Sequence, residues 1–174
     1  MPFSGLKSHE VVRVHRAEGE GHPFEGTVFR GHFEHTIDPK GRLSIPSKFR
    51  DALADGLGDK LVIVPNGDGL DVHPLKLWQE LEDKISALPR LDPDKRRFRH
   101  LYLSRGLDVV LDPQGRIQVM QKYREAASLV KDVVLIGMTD YFEIWDRDRW
   151  AHHERSGGGG ELGELYGKLA AKGV

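Results

Sequence analysis

The 174-residue chain contains no cysteine, which excludes disulfide bonds, thiolate zinc sites and cysteine nucleophiles. Long apolar runs are absent as well. The longest is Val133–Met138, far short of the ~20 residues that a membrane-spanning helix needs. Charged and polar side chains interrupt the N-terminus where a signal peptide has its apolar segment, namely Lys7, His9, Glu10, Arg13 and Arg16. We therefore expect a cytoplasmic protein.

Catalytic and metal-binding signatures are also missing. There is no Gly-x-Ser-x-Gly elbow, and the Gly157–Gly160 run lacks the lysine and helix cap of a phosphate-binding loop. The nine histidines show no metal-ligand spacing: His32 and His35 point to opposite faces of a predicted strand, and the adjacent His152 and His153 diverge on a helix. The sequence predicts no enzyme, no metal and no cofactor.

An excess of positive charge is lacking too, since the net charge is −1 and the isoelectric point about 6.8. That balance argues against a nucleic-acid-binding protein, which is usually basic overall. Net charge hides segregation, however, so the positions of the individual cations carry more information.

The chain contains an internal repeat. Residues 38–53 align with residues 112–127, displaced by 74 positions, with seven identities in sixteen. Downstream, Leu61–Val64 matches Val133–Ile136 and Trp78 matches Trp150, both displaced by 72 positions. An internal repeat decides the architecture before any other feature.

Each repeat reads as strand, strand, short helix, strand, strand, longer helix. Strands are predicted at residues 27–37, 42–45, 60–65, 70–73, 107–111, 116–119, 133–137 and 141–145. Helices are predicted at 48–53, capped by Ser47, at 74–88, from Pro93 onward with Asp92 as the cap, and at 122–129, 147–155 and 161–172. Four short strands do not close a core alone. We therefore expect an α+β fold in which two halves form a pseudo-symmetric, barrel-like β core with flanking helices.

This organisation predicts four segments. Residues 1–27 form a flexible N-terminal arm, 28–90 the first repeat, 91–155 the second repeat, and 156–174 a glycine-rich hinge and tail.

The strongest local signal is a turn that occurs twice, as Asp38-Pro-Lys-Gly41 and Asp112-Pro-Gln-Gly115. Aspartate suits the first position because its carboxylate accepts from backbone amides ahead, proline presets the second, and glycine adopts the left-handed conformation. Asp38, Gly41, Asp112 and Gly115 are thus the turn-shaping residues. The pattern predicts hairpins, in which residues 42–45 return along the strand that precedes the turn.

The hairpin tip carries chemistry suited to DNA. A two-stranded ribbon fits the major groove, where an arginine such as Arg42 grips guanine O6 and N7 and Lys40 adds phosphate or base contacts. The carboxylate of Asp38 can bind Arg42 across the turn and fix the direction of its side chain. In the alternative interpretation, the Asp–Arg pair merely bridges a good turn and Lys40 is solvated. Folding requires the turn residues twice, but it does not require an arginine after the glycine twice.

Other cations support this interpretation weakly. Each short helix after a turn carries two cations, which are Lys48 and Arg50 in the first copy and Lys122 and Arg124 in the second. The run 95–105 holds five Lys or Arg and one His, and is either a solvated helix face or a subunit contact.

Together these stretches resemble the MraZ family of bacterial transcriptional regulators over about residues 28–150. The residues that carry the resemblance are Phe29-Arg-Gly31, Ile37–Arg50, Leu111–Ile117 and Phe142-Glu-Ile-Trp-Asp146. The resemblance implies tandem AbrB-like swapped-hairpin halves and a ring-shaped homo-oligomer. It also implies binding to double-stranded DNA at short direct repeats in promoters, mainly repression of the division and cell-wall gene cluster that includes the regulator's own gene, and association with the nucleoid.

The family's DNA-contacting turns correspond to Asp38–Arg42 and Asp112–Arg116, so the resemblance assigns DNA binding to Lys40, Arg42, Gln114 and Arg116. The second copy has Gln114 where the first has Lys40, and Met120 where the first has Pro46. The less cationic second turn is therefore predicted to contribute less to DNA binding. Two other hypotheses stay open: an oligomeric protein-interaction module without specific DNA binding, and a small enzyme that uses an Asp/Arg pair.

Overall fold

The computed structural model describes residues 28–157 and 159–173. The predicted N-terminal arm, residues 1–27, lies outside the described residues, as does Gly158 within the predicted hinge. Among the helices that are described, none is long and apolar enough to cross a membrane.

Strands and helices alternate along the described chain much as the repeat predicts. The strands are β1 His32–Thr36, β2 Arg42–Ser44, β3 Lys60–Pro65, β4 Leu70–Pro74, β5 Leu107–Val110, β6 Arg116–Gln118, β7 Asp132–Gly137 and β8 Phe142–Asp146. The helices are α1 Ser47–Ala52, α2 Leu75–Ala87, α3 Pro93–Leu101, α4 Gln121–Ala126, α5 Arg147–Ser156 and α6 Gly159–Ala170. A wide helical turn, Leu53–Leu57, extends α1, and a short 3₁₀ turn, Leu103–Arg105, follows α3.

Six of these strands form one antiparallel sheet in the order β1-β7-β8-β4-β3-β5, and β2 pairs with β6 in a separate two-stranded ribbon. The prediction of an α+β fold is confirmed. The barrel-like closure is not found among the described strands, because β1 and β5 remain at opposite edges of the sheet. The strands β2 and β6 bind each other instead of joining those edges.

The return strands predicted after the two turns form, as β2 and β6, but their predicted pairing with the strands before the turns is wrong. The turn at Asp38–Gly41 forms, but only a single bridge between Ile37 and Leu43 joins the segments on its two sides. Beyond that bridge β1 pairs with β7, and in the second half β5 pairs with β3. The first strand of each half thus pairs with the third strand of the other half, because β2 turns away to pair with β6.

The two later hairpins are confirmed. Strand β3 pairs with β4 from Leu61 opposite Pro74 to Pro65 opposite Leu70. Strand β7 pairs with β8 in the equivalent way.

Both faces of the sheet are covered. Leu61 and Ile63 of β3 face the main core, together with buried side chains from β2, β6, α1 and α4, among them Leu43, Phe49, Ile117 and Tyr123. The intervening Val62 and Val64 pack under Trp78 of α2 on the other face. In the second half, Val134 and Ile136 pack with Trp145 and Trp150 in the corresponding place. The two tryptophans that the repeat aligns therefore cover equivalent hairpins.

Several helix ends differ from the predictions. Ser47 does not cap α1; it is the first helical residue, Pro46 occupies the cap position, and no side chain bonds there. Asp92 caps α3 as predicted, since its carboxylate accepts from the backbone N–H of Asp94 and Lys95. The glycine-rich hinge is shorter than predicted, because α6 begins at Gly159 rather than at Glu161.

One charged side chain within the described part is buried, that of Asp71 on β4. It accepts hydrogen bonds from Asn66 Nδ2 at 2.6 Å and from the Tyr102 hydroxyl, which also lies 2.9 Å from His73 Nε2. Burial raises the pKa of Asp71 and outweighs the opposing effect of these hydrogen bonds. The cluster fastens the end of α3 to the sheet.

The aromatic centre of the core leads to a prediction about stability. The ring of Phe49 is fully buried, and its centroid lies 5.3 Å from the ring centroid of Phe29, 5.1 Å from that of Phe33 and 5.0 Å from that of Phe142. Phe49→Ala should lower the free energy of unfolding by about 3–5 kcal/mol, because it leaves a cavity between the ribbon and the sheet. Urea unfolding measures the change. Val130→Ala, at a side chain that is 81% exposed, is the control and should change it by less than about 0.5 kcal/mol. A similar small change for Phe49→Ala would contradict the assigned core.

Candidate nucleic-acid interface

The first turn is organised by one carboxylate. Asp38 Oδ1 accepts from the backbone N–H of Lys40 and of Arg42, each at 2.9 Å, and Oδ2 accepts from Arg42 Nε at 2.6 Å. The backbone closes as predicted, with Gly41 N–H donating to the Asp38 carbonyl at 2.8 Å. A single side chain therefore shapes the turn and aims the guanidinium of Arg42.

The second turn repeats this geometry. Asp112 Oδ1 accepts from the backbone N–H of Gln114 and Arg116 at 2.9 Å, and Oδ2 accepts from Arg116 Nε at 2.9 Å. Gly115 N–H donates to the Asp112 carbonyl at 2.9 Å. Both glycines have the left-handed backbone that the turn requires, with φ of 81° at Gly41 and 75° at Gly115.

The two turns differ at the outer end of the arginine. Among the described residues, no hydrogen-bond partner contacts the terminal nitrogens of Arg42. In the second turn, Arg116 Nη2 donates to Gln114 Oε1 at 3.3 Å. Lys40 and Gln114 are both exposed. The first tip thus presents a free arginine fork and a lysine, whereas the second presents an arginine partly engaged by its own glutamine.

The turn hydrogen bonds also set the acidity of both aspartates. The backbone N–H of Arg42, followed by its guanidinium, lowers the pKa of Asp38 below the usual range. Burial raises the pKa of Asp112, but the backbone and side-chain hydrogen bonds of Arg116 outweigh it and lower the pKa overall. Both carboxylates are therefore ionised, and both turns are intact, at neutral pH.

The ribbon β2–β6 brings the two turns together. Three residue pairs join the strands: Arg42 opposite Gln118, Leu43 opposite Ile117, and Ser44 opposite Arg116. Beyond them, Val119 N–H donates to the Gly41 carbonyl at 2.8 Å, and Ile45 N–H donates to the Gly115 carbonyl at 2.9 Å. Because the strands are antiparallel, the turns lie at opposite ends of one short ribbon.

Each turn is also contacted by the opposite half. Gln118 Nε2 donates to the Lys40 carbonyl at 2.6 Å. Arg124 of α4 lies beside Gly41, and Arg50 of α1 lies against Gly115. The sequence placed these arginines on helices behind their own turns; the structure brings each to the other turn. The signal that pointed to them was their identity in both copies.

Comparison with known proteins identifies the family of the chain. The family model described as "MraZ protein, putative antitoxin-like" matches residues 28–101 and 106–156. The chain belongs to the MraZ family. The predicted resemblance is thereby confirmed. The matched segments include both turns and end just before the tail helix α6.

Curated MraZ proteins are similar over most of their length. Transcriptional regulator MraZ of Pelotomaculum thermopropionicum is 38% identical over 146 residues, which cover 83% of this chain and 94% of that protein. The proteins of the same name from Moorella thermoacetica and Heliobacterium modesticaldum are 40% and 42% identical, covering 83% and 72% of this chain and 96% and 86% of their own.

The basic run 95–105 lies outside the MraZ turns and divides into two sets. Lys95 and Arg99 bond back to the end of α2, with Lys95 Nζ donating to the carbonyls of Ser86 and Leu88. Arg96, Arg97 and His100 line an open groove of about 760 Å³, together with Arg90 from outside the run and with Leu91 and Leu101. Part of the run therefore fastens α3 to α2 rather than facing a ligand.

No group of three potential metal ligands occurs in residues 28–157 and 159–173. At the MraZ turns, the side chains of Lys40, Arg42, Gln114 and Arg116 offer ammonium, guanidinium and amide donors, which suit anionic and hydrogen-bonding partners.

The lowered pKa values predict how the turns respond to acid. Asp38 and Asp112 stabilise the folded state at pH values above the ordinary aspartate pKa. This stabilisation is lost as the pH falls through their lowered pKa values. The free energy of unfolding, measured with urea along a pH series, should therefore fall on acidification. The double variant Asp38→Asn, Asp112→Asn should have a lower free energy of unfolding than the parent at neutral pH. The difference in this free energy between the two proteins should become smaller in acid. Parallel pH curves for the two proteins would contradict the assigned role of the carboxylates.

Proposed function

We propose that this chain is a sequence-specific DNA-binding transcriptional regulator that contacts double-stranded promoter DNA with its two Asp–Arg turns. One observation carries the proposal: the same aspartate-held arginine occurs at both ends of a single two-stranded ribbon. A ribbon of this width fits the major groove of DNA. The curated relatives are named transcriptional regulators, which supports the same function.

At the first tip we assign the two cations separate roles. Arg42 is held through Nε by Asp38, so its terminal nitrogens face outward as a fork that matches guanine O6 and N7. Lys40 is exposed at the apex of the turn and suits a phosphate, which attracts charge without requiring a fixed geometry. Arginine therefore supplies sequence discrimination and lysine supplies affinity.

At the second tip the contribution is smaller. Gln114 carries no charge, and its carbonyl oxygen already accepts from Arg116. Gln114 and Arg116 still offer amide and guanidinium donors, so we propose that they contact DNA with less affinity than Lys40 and Arg42.

The exchanged strand pairing supports a more detailed architecture. We propose tandem AbrB-like swapped-hairpin halves, because β1 pairs with β7 and β5 with β3, while the ribbon joins the halves. Residues 28–90 and 91–155 are the two repeats in this proposal, and 156–174 form the appended tail.

Several copies acting together would account for tight binding by a chain of nearly balanced charge. In the proposed homo-oligomeric ring, tips of neighbouring subunits engage successive direct repeats, and linked weak contacts raise avidity by ~10²–10⁴. The resulting regulator would mainly repress the division and cell-wall gene cluster that includes its own gene, and would act on the nucleoid in the cytoplasm.

Replacing the turn arginines one at a time with alanine tests the proposal directly. Arg42→Ala should abolish specific binding to DNA from just upstream of the protein's own gene while leaving the oligomer intact, because it removes the base-reading fork. Arg116→Ala should weaken binding less. Footprinting and gel shift along a salt series measure both effects, and light scattering checks the oligomer. For the parent, log affinity should fall steeply with log salt concentration.

The outcomes separate the hypotheses. If Arg42→Ala protects the upstream repeats as well as the parent, the hairpin-tip mechanism is wrong. Equal losses in the two variants would show that the lysine missing at Gln114 does not matter. If the parent fails to shift this DNA even at low salt, the protein-interaction module becomes the better explanation.

A further inference from the structure

The second turn lacks the lysine of the first, yet a cation lies against it from the other half of the chain. If a Cβ atom were built on Gly115, it would lie 2.5 Å from Cδ of Arg50, 2.8 Å from Nη1 and 2.9 Å from Nε. The side chain of Arg50 therefore lies directly over the turn glycine. Gly115 is buried beneath it, while Arg50 itself is exposed.

The repeat-equivalent arginine is placed differently. Arg124 approaches Gly41 with its Cζ atom 3.6 Å from the position of a built Cβ. The residue is half-buried, and its Nε is buried without a hydrogen-bond partner in the described part of the chain. Arg124 thus packs behind the first turn, whereas Arg50 lies over the second with its charge open to solvent.

The charge of Arg50 is not neutralised nearby. Within the described residues, none of the ion pairs involves Arg50. An exposed guanidinium fixed over the second tip and lacking a carboxylate partner is suited to an external anion.

We propose that Arg50 is the phosphate-contacting cation of the second tip and replaces, from the opposite half, the lysine that Gln114 does not supply. The assignment rests on the proposed function, since it requires that the tips bind DNA. Arg50 lies over the backbone of the turn rather than beyond its apex, so it meets the sugar–phosphate backbone and Arg116 meets the base edges. Each tip then carries one phosphate cation and one base-reading arginine: Lys40 with Arg42, and Arg50 with Arg116. The second tip still contributes less, because Gln114 partly engages the guanidinium of Arg116.

The test removes the charge of Arg50 and then restores it elsewhere. Arg50→Gln should weaken binding to the upstream DNA about fivefold at ~0.15 M salt for each second tip engaged, because one phosphate contact contributes about 0.9 to the salt slope. The slope of log affinity against log salt should fall by about 1 for each second tip engaged, and thermal unfolding should be unchanged. Adding Gln114→Lys to this variant should restore the slope, since it places a lysine where the first turn has one.

Arg124→Gln is the matched control, because it makes the same change at the repeat-equivalent position. It should alter thermal stability and leave the salt slope unchanged. Weaker binding of Arg50→Gln with an unchanged slope, or an equal loss of slope in Arg124→Gln, would overturn the assignment.

Failure of the inference is distinguishable from failure of the proposed function. If the parent binds the upstream DNA and Arg42→Ala does not, while Arg50→Gln matches the parent in affinity and slope, then the inference alone is wrong. If the parent does not bind, the proposed function fails first.

Discussion

The antiparallel pairing of β2 with β6 is the interaction on which the rest of the structure depends. It spans three residue pairs and is extended at each end by a hydrogen bond to the carbonyl of a turn glycine. Because β2 is bound by β6, each first strand completes its pairing with the other half, and neither half can bury its apolar face alone. The two turns are consequently parts of one ribbon, and their relative position is set by backbone hydrogen bonds rather than by a linker.

A single carboxylate at each turn combines folding with presentation of the site. Asp38 and Asp112 satisfy two backbone N–H groups through one oxygen and hold an arginine Nε through the other. The Asp–Arg ion pair by itself, at a half-exposed surface, contributes little to overall stability. Its value lies in reducing the conformational freedom of a long side chain before a partner binds. In the proposed function, this arrangement is compatible with the balanced net charge, because Arg42 and Arg116 are held in position at the turns.

The two repeats place aligned residues in different surroundings. Arg50 and Arg124 are identical in the aligned copies, yet one is exposed over Gly115 and the other half-buried behind Gly41. Asp71 and Glu143 also align and lie opposite each other across β4 and β8, but Asp71 bonds to Tyr102 whereas Glu143 bonds to Trp145. The repeat therefore supplies the same scaffold twice, while each copy meets different neighbours.

Local patterns determined the turns, the hairpins β3–β4 and β7–β8 and the cap at Asp92, because these features depend on hydrogen bonds between residues close in the chain. They also located Lys40, Arg42, Gln114 and Arg116 at the turns, and the DNA-binding role of these four residues stays a prediction. The sequence was misleading about the pairing of the strand after each turn, the cap at Ser47 and the closure of the barrel. A strand has two edges, and which distant partner occupies each edge depends on the burial of the whole core. Only the tertiary structure therefore decided that β2 binds β6, and with it that Arg50 and Arg124 reach the turns of the opposite half.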